Sequence, residues 1–129
     1  MSVVDASAIL ALLHGETGAE VVAGVLAGAA LSAVNLSEAA AKLQERGVPA
    51  AAAREVLLGL DLDIVPFDNE LAFLAASLRE ATRHRGLSLG DRACLALGRQ
   101  RGVPVYTADR AWAGLGLNID VRLIRGDRG

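Results

Sequence analysis

Four acidic residues, Asp5, Glu38, Asp91 and Asp109, stand where this chain could do chemistry. Asp5 directly follows the short apolar run Ser2-Val3-Val4, and Asp109 follows Val103–Thr107 after one alanine. Glu38 and Asp91 fall in the first turns of two candidate helices, behind Asn35 and Ser88. Open parallel sheets bind ligands just outside the carboxyl ends of their strands, so four carboxylates share one pocket if these ends converge. Two unit charges about 5 Å apart repel by about 3 kcal/mol at an effective dielectric of 20, and four carboxylates make six such pairs. A hard divalent cation relieves this, because Mg²⁺ or Mn²⁺ takes oxygen ligands and keeps several waters. A water held that way is a better nucleophile, and the cation stabilises charge developing on a phosphodiester.

A blander role is open to each acid. Asn35-Leu36-Ser37-Glu38 and Ser88-Leu89-Gly90-Asp91 have the three-residue spacing of capping boxes, and an acid in a first turn favours the helix dipole. Asp5 and Asp109 could equally cap the helices that follow them. Asp68 also follows a strand and starts a helix, and spacing alone does not separate it from Asp5.

The elements that must position these residues are legible from apolar runs and punctuation. Short strands are expected at Ser2–Val4, Ala30–Val34, Asp63–Pro66, Val103–Thr107 and Val121–Ile124. A helix follows Asp5-Ala6-Ser7. The Thr17-Gly18-Ala19-Glu20 spacing predicts a capping box and a second helix to about Ala27. Asn35 is expected to cap a helix through Arg46, Pro49 to open one reaching Leu58, and Asp68 to cap a long helix from Asn69 to about His84. Asp91–Arg101 and a brief turn at Arg110–Ala113 complete the set. Strands alternating with helices predict an α/β domain with a parallel sheet covered on both faces. No repeat, linker or low-complexity tract divides residues 1–129, which read as a single domain.

Composition narrows the function. Of 129 residues, 53% are hydrophobic and 22% charged, and thirteen bases against fifteen acids leave a formal charge of -2. That balance opposes nucleic-acid binding by bulk positive charge. Aromatics at 3% leave almost nothing for a base-stacking platform. The apolar surplus points to a partner surface. The longest uncharged run, Val21–Ser37, is too short and too interrupted for a membrane span, and Asp5 interrupts any secretory signal. The single Cys94 permits no internal disulfide and fits a reducing cytoplasm.

At the acidic residues the sequence resembles PIN-domain proteins, and more narrowly the VapC toxins of bacterial VapBC toxin–antitoxin pairs. The matching segments are Val3–Ala8, Leu31–Glu38, Leu87–Leu97 and Val105–Trp112, in the family's order. The resemblance spans essentially the whole chain. It implies a PIN-domain fold, a five-stranded, mainly parallel sheet flanked by helices on both faces. It also implies a Mg²⁺- or Mn²⁺-dependent endoribonuclease with Asp5, Glu38, Asp91 and Asp109 as catalytic and metal-binding residues. Asp5 and Asp91 are then the foremost direct ligands, with Ser7 and Thr107 orienting carboxylates or a metal-bound water. Hydrolysis by water would leave a 5′-phosphate and a 3′-hydroxyl. The implied partners are an RNA substrate, a VapB-type antitoxin, a second copy in a homodimer, and DNA only through the antitoxin.

Arg83, Arg85, Arg92 and Arg110 are candidates to guide an RNA backbone, since arginine suits phosphate. Cations near helix ends also simply favour the dipole. Cys94 reads as a small buried apolar residue and Trp112 as an anchor on the sheet. Three rivals remain. An aspartyl-nucleophile phosphatase lacks its second acid, since Ser7 stands two residues after Asp5. A receiver-like phosphoacceptor wants a late lysine, whereas Lys42 is the only lysine. A catalytically silent PIN-like interaction module would use the four acids only as caps.

Overall fold

The molecule, a computed structural model, is described over residues 1–126. Five short strands form one sheet: β1 (Val3–Val4), β2 (Ala30–Ser32), β3 (Asp63–Val65), β4 (Val105–Thr107) and β5 (Val121–Leu123). Seven helices connect them: α1 (Ala6–Leu13), α2 (Ala19–Val25), α3 (Ala33–Glu45), α4 (Ala50–Leu58), α5 (Asn69–Ser77), α6 (Arg79–Thr82) and α7 (Leu89–Arg101). All pairings are parallel, in the order β3-β2-β1-β4-β5. The chain therefore builds outward from β1 in one direction, then crosses back through α5–α7 to lay β4 against the other edge of β1. That reversal makes the β1/β4 boundary the topological switch point, where such sheets open a crevice.

The period-two alternation of the strands divides the core. Val4, Leu31 and Tyr106 face one layer with α1–α4, where Ile9, Leu43 and Leu57 are buried. Val3, Ala30 and Val105 face the other with α5 and α7, joined by Leu71, Leu97 and Trp112. Trp112 is fully buried, in keeping with its expected anchoring role. Both faces being covered explains why the strands read as short apolar runs.

Several element ends move by one or two residues, α7 starting at Leu89 rather than Asp91 among them, and three expectations change more. α3 begins three residues early: Ser32 at the end of β2 is the N-cap, its hydroxyl accepting from Val34 N at 3.2 Å, and Asn35 lies inside the helix. The Thr17 capping box does not form. Gly18 is the N-cap of α2 at φ 98°, a left-handed conformation that favours glycine, and a Cβ there would lie 2.6 Å from the Ile124 carbonyl oxygen. The long helix expected from Asn69 to His84 breaks at Leu78 into α5, α6 and a 3₁₀ turn at Arg83–Arg85. No proline or glycine marks the break. The Ala75 carbonyl instead accepts from Leu78 N at 3.2 Å and from Arg92 Nη1 at 3.1 Å, while Thr82 Oγ1 bonds back to Leu78 O.

Close packing of α7 on the sheet rests on Gly98, where a Cβ would lie 2.1 Å from Val105 Cγ2 in the buried β4. An alanine gains about 1 kcal/mol of helix propensity, but overpacking of a filled core costs about 1–3 kcal/mol. Gly98→Ala is expected to lower the melting temperature by a few degrees and Gly98→Val by more. Thermal melts followed by circular dichroism check this, and an unchanged Gly98→Val melt would refute the packing argument.

Candidate active site

Asp5 occupies the end of β1 at the switch point and is only 4% exposed. Its position follows from two demands on one residue: it terminates the central strand and caps α1. Oδ1 accepts from Ala8 N at 2.8 Å and from the Ser7 hydroxyl at 2.7 Å, and Oδ2 accepts from the Thr107 hydroxyl at 2.6 Å. Each hydroxyl is itself aimed by a backbone N–H of the segment just after β4. Ala108 N donates to Ser7 Oγ at 2.9 Å, and Asp109 N donates to Thr107 Oγ1 at 3.0 Å. Such chains polarise in one direction, toward the carboxylate.

Glu38 comes from the second turn of α3 and leans on α7. Asn35 Nδ2 donates to Glu38 Oε1 at 2.9 Å and to the Gly90 carbonyl at 3.1 Å. Asp91 closes a capping box on α7, accepting from Ser88 N at 3.0 Å while its own N–H donates to Ser88 Oγ at 3.2 Å. Asp109 accepts from Ala111 N at 2.9 Å, starting the 3₁₀ turn Arg110–Trp112. Caps and pocket lining are thus not alternatives here. Asp5, Glu38, Asp91 and Asp109 all line one cavity of about 360 Å³, together with Ser7, Asn35 and Lys42. Asp68 is absent from that lining; it caps α5, accepting from Leu71 N at 2.9 Å.

Sequence reasoning passed over three participants. Asn35 is expected from the sequence only as a cap, and Gly90 and Lys42 carry no site role there. The signal for Asn35 is the Asn-x-x-Glu spacing itself, which serves a side-chain pair inside a helix as well as a capping box; nothing local to Gly90 points to Glu38. Of the arginine candidates, Arg92 is corrected: it is buried at 9% exposure and cross-links α7 to α5 through Ala75 O. Arg85 Nη1 donates to the carbonyls of Ala111 (2.7 Å) and Ala113 (2.9 Å), and Arg110 Nη2 to Gly126 O (3.3 Å). Arg83 is exposed and pairs with Glu80 at 3.3 Å.

The electrostatics follow from burial. Burial pushes the Asp5 carboxyl up from 3.8 to about 6, with Asp91 adding repulsion, and the donors from Thr107, Ala8 and Ser7 hold it from rising further. Burial likewise raises the Cys94 thiol well above its ordinary range, and Asp5, Asp91 and Glu38 push the same way. Cys94 is therefore an inert core thiol rather than a nucleophile. Among the described residues no three acidic, histidine or cysteine side chains are drawn together as a ready-made metal cage. Mg²⁺ commonly takes only one or two carboxylates and fills its shell with water. An all-oxygen set around an open cavity, with one carboxyl strained by burial, fits such a cation.

The sign of the pH dependence is fixed by the direction of the Asp5 shift. The folded carboxyl binds its proton more tightly than the unfolded one, so its stabilising contribution is complete below about pH 3.8 and is lost as pH rises through about 6. The displacement corresponds to roughly 3 kcal/mol. In chelator, Asp5→Asn is expected to be more stable than the parent at pH 8 and to lose that advantage near pH 4. Urea melts at the two pH values measure it; equal differences at both would contradict the assigned cause.

Comparison with known proteins agrees with this geometry. No curated protein sequence matches the chain. Among solved structures, a toxin–antitoxin complex from Klebsiella pneumoniae superposes with a TM-score of 0.73 at 17% identity, covering 96% of this chain and 98% of that one. A VapC toxin of Mycobacterium tuberculosis described as cleaving the sarcin–ricin loop gives 0.72 at 24% identity, covering 85% and 91%. DNA-bound VapBC from Salmonella typhimurium gives 0.73 at 16%, covering 95% and 97%. These likenesses show the fold. The PIN-domain family model matches residues 2–116, and with the β3-β2-β1-β4-β5 sheet around an acidic cavity this places the chain in the PIN-domain family.

Proposed function

We propose that this protein is a Mg²⁺- or Mn²⁺-dependent endoribonuclease and the toxin component of a type II toxin–antitoxin pair. The observation that carries the reading is the convergence of Asp5, Glu38, Asp91 and Asp109, from four separate segments, on one cavity at the switch point. Asp5 and Asp91 would be the foremost ligands, with Glu38 and Asp109 completing an oxygen-donor set. The bound cation would supply an activated water and charge stabilisation at phosphorus. The chain's own contribution is orientation. Ser7 and Thr107 fix both Asp5 oxygens, the Ser88 box fixes Asp91, and the N-cap bond to Ala111 fixes Asp109. Asp5 must release its proton to act as a ligand, so metal affinity should rise with pH through about 6.

The partners follow from surfaces and from relatives. An RNA backbone reaching the acidic cavity needs cations, and Arg83 is the exposed candidate whose guanidinium holds no backbone carbonyl among the described residues. An apolar groove of about 320 Å³ between α3 and α4, lined by Leu36, Ala40, Leu57 and Leu58, suits a segment of a VapB-type antitoxin. Phe73 on α5, 78% exposed, suits the seam of a homodimer. DNA contact would come through the antitoxin; the Salmonella typhimurium neighbour is a VapBC complex bound to DNA. No helix among the described residues is long and apolar enough to cross a membrane, and RNA, Mg²⁺ and a reduced Cys94 together suit the cytoplasm.

A silent interaction module is the second reading, because three of the four carboxylates, Asp5, Asp91 and Asp109, serve as helix caps. Binding linkage separates the two. Mn²⁺ at 100 times its dissociation constant adds about 2.7 kcal/mol of stability to a protein that binds it only when folded, so the parent's melting temperature should rise and that of Asp5→Asn should not. RNA cleavage should fall at least 1,000-fold (~4 kcal/mol) in Asp5→Asn and in Asp91→Asn with the fold retained, and should vanish in EDTA. Full cleavage in EDTA, or in either variant, would sink the nuclease. Arg83→Glu should weaken RNA binding and flatten its salt dependence; unchanged binding would remove Arg83 from the RNA path.

A further inference from the structure

Asn35 is among the largest fully buried side chains, 1% exposed, yet it lines the acidic cavity. Its amide orientation is unambiguous. Two acceptors, Glu38 Oε1 and the Gly90 carbonyl, face the same nitrogen, so the NH₂ group must point at them. This leaves Asn35 Oδ1 buried without a partner among the described residues. A core does not keep a half-satisfied amide for stability, since an apolar residue of the same shape serves better there. Gly90 gives the second half of the arrangement. A Cβ at that position would lie 2.1 Å from Glu38 Oε2 and 2.5 Å from Glu38 Cδ, so the carboxylate occupies the space a side chain would fill.

We infer that Asn35 is a positioning residue for Glu38. Together with the bare backbone of Gly90, it forms a seat that holds the α3 carboxylate against the start of α7 and so sets the cavity's affinity for a divalent cation. The seat bridges two helices that contribute one acid each, Glu38 from α3 and Asp91 from α7, so it also fixes the spacing between them. The inference rests on the metal-site reading of the four acids. Removing an outer partner of a metal-binding carboxylate weakens affinity about 10- to 100-fold, and that is the effect assigned to Asn35.

The test is a Mn²⁺ titration of the full chain without RNA, reading free Mn²⁺ by electron paramagnetic resonance, on Asn35→Leu, Glu38→Gln, the double variant, Gly90→Ala and Asp5→Asn. Asn35→Leu should weaken binding by about 10-fold or more. The double variant should bind no more weakly than Glu38→Gln alone, because Asn35 acts only through that carboxylate. Gly90→Ala keeps Asn35 and improves helix propensity, so it should weaken Mn²⁺ binding without lowering the metal-free melting temperature. It keeps the question decidable if Asn35→Leu fails to fold. Wild-type affinity in Asn35→Leu or in Gly90→Ala, with binding lost in Asp5→Asn, would overturn the seat and leave the metal site standing. Multiplying losses in the double variant would overturn it too. Equal affinity in the parent and Asp5→Asn would overturn the metal reading, and the seat with it.

Discussion

A carboxylate buried at the end of the central strand is the constraint around which this structure is arranged. Asp5 can stay there only with donors on both oxygens, because an unpaired buried charge is far costlier than an unmade neutral hydrogen bond. Those donors dictate architecture. The Ala8 N–H requires α1 to begin directly after β1, and the Thr107 hydroxyl requires β4 to lie beside β1 in the observed register of Val3 with Val105 and Val4 with Tyr106. Even so the carboxyl stays displaced to about 6, with burial outweighing its three donors. The residual strain is specific to the charged form, which a bound cation would relieve.

α7 shows how such a centre is framed. Gly98 lets the helix lie against Val105, and Gly90 lets the carboxylate of Glu38 lie against its first turn. Each glycine costs about 1 kcal/mol of helix propensity. The cost is offset because Cys94, Leu95, Ala96 and Leu97 are all fully buried by the close approach. Arg92 extends the same helix to α5 through the Ala75 carbonyl, at the point where α5 gives way to α6. One helix thus supplies an acid, a steric vacancy and a cross-link.

The sheet and its parallel sense are legible because they depend on local signals, short apolar strands alternating with capped helices, and the Ser88 capping box forms as expected. The four acids are set apart from Asp68 by the resemblance to PIN-domain proteins, not by local spacing. What was not legible depends on partners distant in sequence. Asn35 carries the same spacing whether it caps a helix or holds Glu38 from inside it, and the choice was made by Ser32, which the strand pattern absorbed. Gly18 rather than Thr17 stands at the N-cap, and a side chain there would meet the Ile124 carbonyl, more than a hundred residues away. Arg92 looked like one more cation near a helix end, and only the packing of α5 shows it facing inward. Asp68 and Asp5 were indistinguishable by position. Strand order separates them, since β3 is an edge strand and β1 is central.

The crossover that places β4 beside β1 has a consequence in time as well as in space. The hydrogen bond from Thr107 to Asp5 spans 102 residues, so the two halves of the centre meet only after most of the chain has been made. Domains gain structure from the N-terminus as they are synthesised, and distant pairings close late. A nascent chain that has formed β1, β2 and β3 holds Asp5 and Glu38 but neither the Thr107 hydroxyl nor the Asp109 carboxylate. Completion of the cavity is therefore tied to closure of the last strands, and a chain interrupted before β4 would be released with its first acid in place and the cavity unassembled.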